Sequence, residues 1–272
     1  MADAFTQFEH EGWERVAAKY DSVWSSSTRQ FILPLLDATE VSAHMSVLDV
    51  GCGPGYVSAL CKERGALPRG LDFSKEMVAI ARGMFPPIEF REGDAQNLPF
   101  ADGSFDRVLA NFALLHLSDP ERAMREAFRV LKAGGKFGLT TWAQRSDNPF
   151  VQIVDDAIQA HGDLNVELPP GPSFYLYENK EGFRDALERA GFDGSSMTFK
   201  THVIEWKVPT AGFVFDAERN AGVRTAGLLA RQTPERLKAI QEAIEISVQR
   251  YAKGDGFSIP KAAYIVAVSK KM

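Results

Sequence analysis

The chain has 272 residues, 45% of them apolar and 25% charged, which excludes a disordered, collagen-like or coiled-coil protein and leaves ample length for a packed core. Its 31 basic and 36 acidic residues give a net charge of -5, which weighs against a duplex nucleic-acid binder that works by counterion release. Two cysteines, Cys52 and Cys61, cannot build a disulfide framework; with an acidic start (Met1-Ala2-Asp3-Ala4-Phe5) lacking a signal-like apolar run, and a stretch at 31–36 too short to span a bilayer, they lead us to expect a cytoplasmic protein.

Residues 1–45 read as helical, because Trp13, Val16, Ala17, Tyr20, Val23 and Trp24 recur at spacings of three and four. The pattern then changes. Val47-Leu48-Asp49-Val50 is a short buried strand that runs into Gly51-Cys52-Gly53-Pro54-Gly55, followed by a helix over 56–64 that Gly65 ends. A strand over 66–71 leads to Asp72, and Ser74 caps a helix over 75–82. Strands are expected over 88–91, 105–110 and 136–141. Asp119-Pro120-Glu121 opens a helix to about 131, with an N-cap carboxylate and proline in the first turn. This alternation over 46–141 predicts an α/β fold with a parallel, doubly wound sheet, whose ligands sit outside the carboxyl ends of the strands.

Beyond it, helices are expected over 149–161, 178–190 and from Thr233-Pro234-Glu235 to about 251, and strands over 197–208 and 262–269. Residues 210–230 are ambiguous, and 171–175 reads as a lid segment. No linker stands out, so one domain is expected overall. Its parts are an N-terminal helical lid (1–45), a binding core (46–145), and a segment (146–272) that completes the sheet and inserts a helical cap.

The residues with chemistry fall at strand ends. Three glycines at alternate positions, 51, 53 and 55, let backbone approach a ligand closely where a helix N-terminus presents free N–H groups. Their G-x-G-x-G spacing is not the G-x-G-x-x-G of dinucleotide binders. Asp72, about 20 residues on, is placed to accept both hydroxyls of a ribose. Asp94 and Ala95, after the third strand, can meet an adenine amine and ring. Asn111-Phe112-Ala113-Leu114-Leu115-His116-Leu117 follows the fourth strand, and Gly134-Gly135 turns into the fifth.

These segments, VLDVGCGPG (47–55), GLDFSKEMVAIAR (70–82), GDAQNLPFADGSFDRV (93–108) and ANFALLHLSDPERAMREAFRVLKAGG (110–135), resemble the Rossmann-like S-adenosylmethionine-dependent methyltransferases. The likeness is strongest to the small-molecule subgroup that includes the ubiquinone/menaquinone C-methyltransferases. The resemblance implies a seven-stranded sheet with strand seven antiparallel beside strand five, S-adenosyl-L-methionine as cofactor, and methyl transfer to O, C or N of a small aromatic or lipophilic acceptor. The cofactor-binding residues it implies are Tyr20, Asp49, Gly51, Cys52, Gly53, Gly55, Asp72, Phe73, Met77, Asp94, Ala95, Gln96, Asn111 and Phe112. Tyr20 matches a lid tyrosine, in Ala17-Ala18-Lys19-Tyr20-Asp21.

Direct displacement on a sulfonium methyl needs alignment above all, and a hydroxyl or carbon acid gains from a general base. His116 is the candidate for that role. The five histidines are scattered and no zinc motif occurs, so no metal is expected. An Asn-Pro-Pro-Tyr signature is absent after the fourth strand, which argues further against nucleic acid as substrate. Arg224 and Arg231 are candidates to pair with an acidic substrate, although solvated surface charge is the simpler role. A monomer or homodimer is expected. A nicotinamide-dependent oxidoreductase and a non-catalytic cofactor-binding module are the alternative readings.

Overall fold

The structure, a computed structural model, describes residues 3–177 and 179–272. Met1 and Ala2 of the N-terminal reading, and Glu178 at the start of the helix expected over 178–190, lie outside the described residues.

The chain opens with α1 (Ala4–Tyr20), whose N-cap Asp3 accepts from the Thr6 amide. A π-helical turn (Asp21–Ser25) widens it just past Tyr20, and α2 (Ser26–Thr28) and α3 (Ile32–Ala38) follow. Such turns recur at functional sites. Next come β1 (Ser46–Val50), α4 (Tyr56–Glu63), β2 (Leu67–Asp72), α5 (Lys75–Met84), β3 (Glu89–Glu92), β4 (Phe105–Asn111), α6 (Pro120–Val130) and β5 (Leu131–Trp142). The helices start where expected. Ser74 accepts from the Met77 amide and Asp119 from the Arg122 amide, each satisfying an orphan donor of a first turn. β5 begins earlier than 136, because Leu131 already pairs with Phe105 before a register shift at the Gly134-Gly135 turn.

The second half comprises α7 (Pro149–His161), α8 (Lys180–Arg189), β6 (Asp193–Val208), α9 (Phe213–Ala221), α10 (Arg224–Leu229), α11 (Pro234–Val248), β7 (Ala252–Lys253) and β8 (Gly256–Ser269). The ambiguous stretch at 210–230 resolves into α9 and α10. The sheet order is β3-β2-β1-β4-β5-β8-β6, and β8 runs antiparallel to both of its neighbours. This is the expected arrangement plus one strand, since the two-residue β7 pairs with the start of β8.

β8 begins six residues earlier than the apolar run at 262–269 indicates. Its pairing with β5 ends at Ala263, opposite Trp142, whereas its pairing with β6 continues to Phe257. The result is a two-stranded arm beyond the main sheet. Trp206 and Ile259 on this arm pack with Val154 of α7, Phe215 of α9 and Ile244 of α11 to form the core of the cap. Leu48, Val108, Phe137 and Val266 build the main core against α6 and α8, and Ile32, Leu36, Val47 and Val57 close the opposite face. Among the described residues, no helix is long and apolar enough to cross a membrane.

Close approach of α3 to β5 depends on Gly138, where a Cβ would lie 2.3 Å from Thr39 Cγ2 and 3.0 Å from Leu35 Cδ1. Gly138→Val is expected to lower unfolding free energy by about 2 kcal/mol or more, through overpacking. Urea denaturation measures this, and an unchanged midpoint would contradict the packing.

Candidate active site

The chain turns sharply after β1. Gly51, Gly53 and Gly55 have φ of +65°, +49° and +91°, a region that L side chains rarely adopt. The amides of Gly51 and Cys52 both donate to the Leu71 carbonyl, at 2.8 and 3.0 Å, which pins the loop to β2. The Asp72 carboxylate continues the pinning by accepting from the Gly53 amide at 2.8 Å and the Ser74 amide at 2.9 Å. Asp72 is buried, and burial raises its carboxyl above the usual range.

Tyr20, Gly51, Gly53, Asp72, Phe73 and Met77 line one cleft, and Ala95, Asn111, Phe112 and His116 complete it. The rest of the expected set sits behind this surface. Asp49 lies beneath the loop, where burial pushes its carboxyl up to about 7 although the Ser58 amide and hydroxyl both donate to Oδ2; Oδ1 has no partner. Cys52 packs with Val78 and Phe90, and a Cβ at Gly55 would strike Phe90. Asp94 accepts from the Gln96 amide, and Gln96 Oε1 accepts from the Asp119 amide and the Ser118 hydroxyl. These residues therefore set the shape of the cleft from behind its wall.

Phe112 carries φ +56°, the strained left-handed region for a non-glycine residue. Its amide donates to Thr140 Oγ1 at 3.0 Å, and its ring lies 4.2 Å from that of Trp142. This geometry turns the chain so that His116 comes back to the cleft.

His116 is held by a residue that sequence reasoning missed. Glu9 of α1 is fully buried; its Oε2 sits 3.0 Å from His116 Nδ1, and its Oε1 accepts from Arg224 Nε at 2.6 Å. Arg224 also donates to the carbonyls of Pro172 and Leu115 and covers the Phe5 ring. The expectation of a solvated Arg224 is thus corrected: the buried carboxylate draws its guanidinium inward. Burial alone would raise the Glu9 carboxyl, but His116 and Arg224 outweigh it and hold the carboxyl below the usual range. The available signal was the stripe Phe5-Glu9-Gly12-Val16, a carboxylate on the buried face of α1.

With Nδ1 facing a carboxylate, the tautomer protonated at Nδ1 is favoured, leaving Nε2 as the acceptor. Trp13 stands edge-on to the ring at 4.8 Å and Phe174 at 6.4 Å. Beyond His116 opens a second cavity of about 450 Å³. It meets the cleft at Trp13, Tyr20, Phe112 and His116. Its wall includes Trp24, Trp142, Phe150, Phe174, Ile158 and Leu228, and Tyr175 of the expected lid segment donates to Asp155 at 2.8 Å.

Residues 48–139 match a family model described as a methyltransferase domain. The chain is 34% identical over 170 residues to the demethylmenaquinone methyltransferase of Renibacterium salmoninarum, covering 61% of this chain and 72% of that one. It is 28% identical over 274 residues to methyltransferase GfsG of Streptomyces halstedii, covering 98% of this chain and 88% of that one. Among solved structures, phosphoethanolamine N-methyltransferase 2 of Haemonchus contortus, in complex with S-adenosyl-L-methionine, has the same fold at TM-score 0.57 and 17% identity, over 100% of this chain and 61% of that one.

The clamp has a pH signature. Because the folded carboxyl of Glu9 titrates below its ordinary value, its contribution is complete above the ordinary carboxylate range and is lost as pH falls through the lowered value. Glu9→Gln is expected to destabilise by about 3 kcal/mol at neutral pH and by less below about pH 4, as chemical denaturation at both pH values checks. An equal loss at both would contradict an ionised Glu9.

Proposed function

The chain belongs to the S-adenosylmethionine-dependent methyltransferases, and from that premise we propose that it methylates O, C or N of a small lipophilic or aromatic acceptor held in the 450 Å³ cavity. The observation that carries this reading is the junction of cleft and cavity at Phe112 and His116. The name of the Renibacterium relative points the same way, since demethylmenaquinone is a lipophilic ring compound. The family membership and the G-x-G-x-G spacing displace the nicotinamide alternative.

The cleft fits the cofactor on two counts. A Cβ added at Gly53 would meet nothing within 4 Å, so the backbone there faces open space that a ligand can fill. The partnerless Asp49 Oδ1 beneath the same loop suits the neighbourhood of an ammonium group. In our reading Asp72 takes the ribose hydroxyls, Phe73, Met77 and Ala95 flank the adenine, and Gly51 and Gly53 pass the amino-acid portion. Asp49, Cys52, Gly55, Asp94 and Gln96 support these from behind, and Asn111, Phe112 and Tyr20 enclose the reacting end. S-adenosylmethionine supplies a methyl group already activated by its sulfonium.

His116 Nε2 is assigned the proton of the acceptor, with Glu9 as the positioning residue that fixes the ring. Aromatic rings frame the junction, and what the site must supply there is alignment of the acceptor with the sulfonium methyl. Residues 1–45 act as the lid, 46–145 as the cofactor core, and 146–272 as the remainder of the sheet and the acceptor cap. The two buried cysteines suit the cytoplasm to which we assign the enzyme.

Asp72→Ala is expected to weaken S-adenosylhomocysteine binding roughly tenfold to a hundredfold, since hydrogen bonds to a charged group carry about 1.5–3 kcal/mol. Isothermal titration measures it, and unchanged affinity would remove Asp72 from the site. In an acceptor panel of phenols and hydroquinones, His116→Ala should lower kcat about a hundredfold while leaving S-adenosylhomocysteine affinity nearly unaltered. Undiminished turnover would eliminate the base.

A further inference from the structure

The wall of the acceptor cavity contains a buried amine that the methyl-transfer chemistry does not use. Lys261 of the arm has 0% exposure. Its Nζ lies 4.1 to 4.6 Å from the ring centroids of Trp24, Trp142, Phe150 and Trp206. The one hydrogen bond it makes among the described residues goes to Ser27 Oγ, at 3.4 Å, while an ammonium carries three donors. Glu218 of α9 and Asp155 of α7 belong to the same cavity, and no carboxylate among the described residues lies within 4.0 Å of Lys261.

We propose that Lys261 and Glu218 form a distal polar anchor that selects an acceptor bearing an uncharged hydroxyl at the end remote from the methylated atom. This rests on reading the cavity as the acceptor site. Two of the polar groups there are a donor-rich amine and an acceptor-rich carboxylate that form no ion pair with each other, and Glu218 keeps acceptor capacity beyond its Thr225 hydrogen bond. A hydroxyl is both donor and acceptor, so it can give its proton to Glu218 and accept from Lys261.

Charged ends are disfavoured from both directions. An anion would meet Glu218 and Asp155 beside Lys261, and a cation would meet Lys261 beside those carboxylates, so each faces a like charge along with its partner and sheds its hydration on entry. The resident groups register the same hostility to charge. Burial drives the Lys261 amine well below its usual range, although Glu218 opposes this, and raises the carboxyls of Glu218 and Asp155.

The test uses the full chain saturated with S-adenosylhomocysteine and a matched set of probes. These are para-hydroxybiphenyls carrying a methyl, hydroxymethyl, carboxylate or aminomethyl group on the far ring, and their affinities are read by calorimetry. Hydroxymethyl should bind about tenfold more tightly than the other three, and Lys261→Met and Glu218→Met should each erase that preference without changing S-adenosylhomocysteine affinity. If Lys261→Met fails to fold, Glu218→Met gives the same readout. Binding without a hydroxymethyl preference, or a preference that survives both substitutions, overturns the anchor and leaves the acceptor-cavity reading standing. Binding of no probe overturns both.

Discussion

A buried carboxylate must find partners or lose its charge, and Glu9 finds them in two segments far away in the chain. Its oxygens meet His116, after β4, and Arg224, at the start of α10. The cost of leaving such a charge unpaired is several kcal/mol, so one side chain fixes the N-terminal helix, the loop bearing His116 and α10 relative to one another. Arg224 extends the clamp to the Pro172 carbonyl, beside Phe174. The shape of the cleft and the orientation of His116 both follow from this requirement.

The division of labour across the sheet follows from strand order. Parallel strands β1, β2 and β4 bring their carboxyl ends to one edge, where the glycine turn, Asp72 and Phe112 meet. The antiparallel β8 and the long β6 then carry the sheet past that edge as an arm, on which the cap helices pack. Cleft and cavity consequently share a wall. At that wall the chain tolerates the strained Phe112, whose cost of about 1–3 kcal/mol is met by two Thr140 hydrogen bonds and the Trp142 contact.

The parallel half of the fold was legible because its signals are local. β1 and β4 carry short apolar runs, β3 alternates, and Ser74 and Asp119 cap helices with their own side chains three residues on. The extent of β8 was hidden because Pro260 and Lys261 interrupt its apolar run, and the partner that makes 256–261 a strand lies some fifty residues upstream in β6. Residues 210–230 gave no period since α9 and α10 are short and rely on packing against the cap core. In the site, the glycines, Asp72 and His116 stood out by spacing. Glu9 and Lys261 did not, because their partners are 215 and 234 residues away. Each nonetheless left a trace, a charged residue on an otherwise buried face.

Glu9 locks the N-terminal helix over the site, while the sheet keeps its own core. Amide hydrogen exchange on the Glu9→Gln chain at neutral pH measures this segment by segment. Near-complete loss of protection is expected across α1 and the loop bearing His116, while β1, β4 and β5 stay protected and fall only with the lower global stability. Unchanged protection of α1, or near-complete loss throughout the sheet, would contradict it.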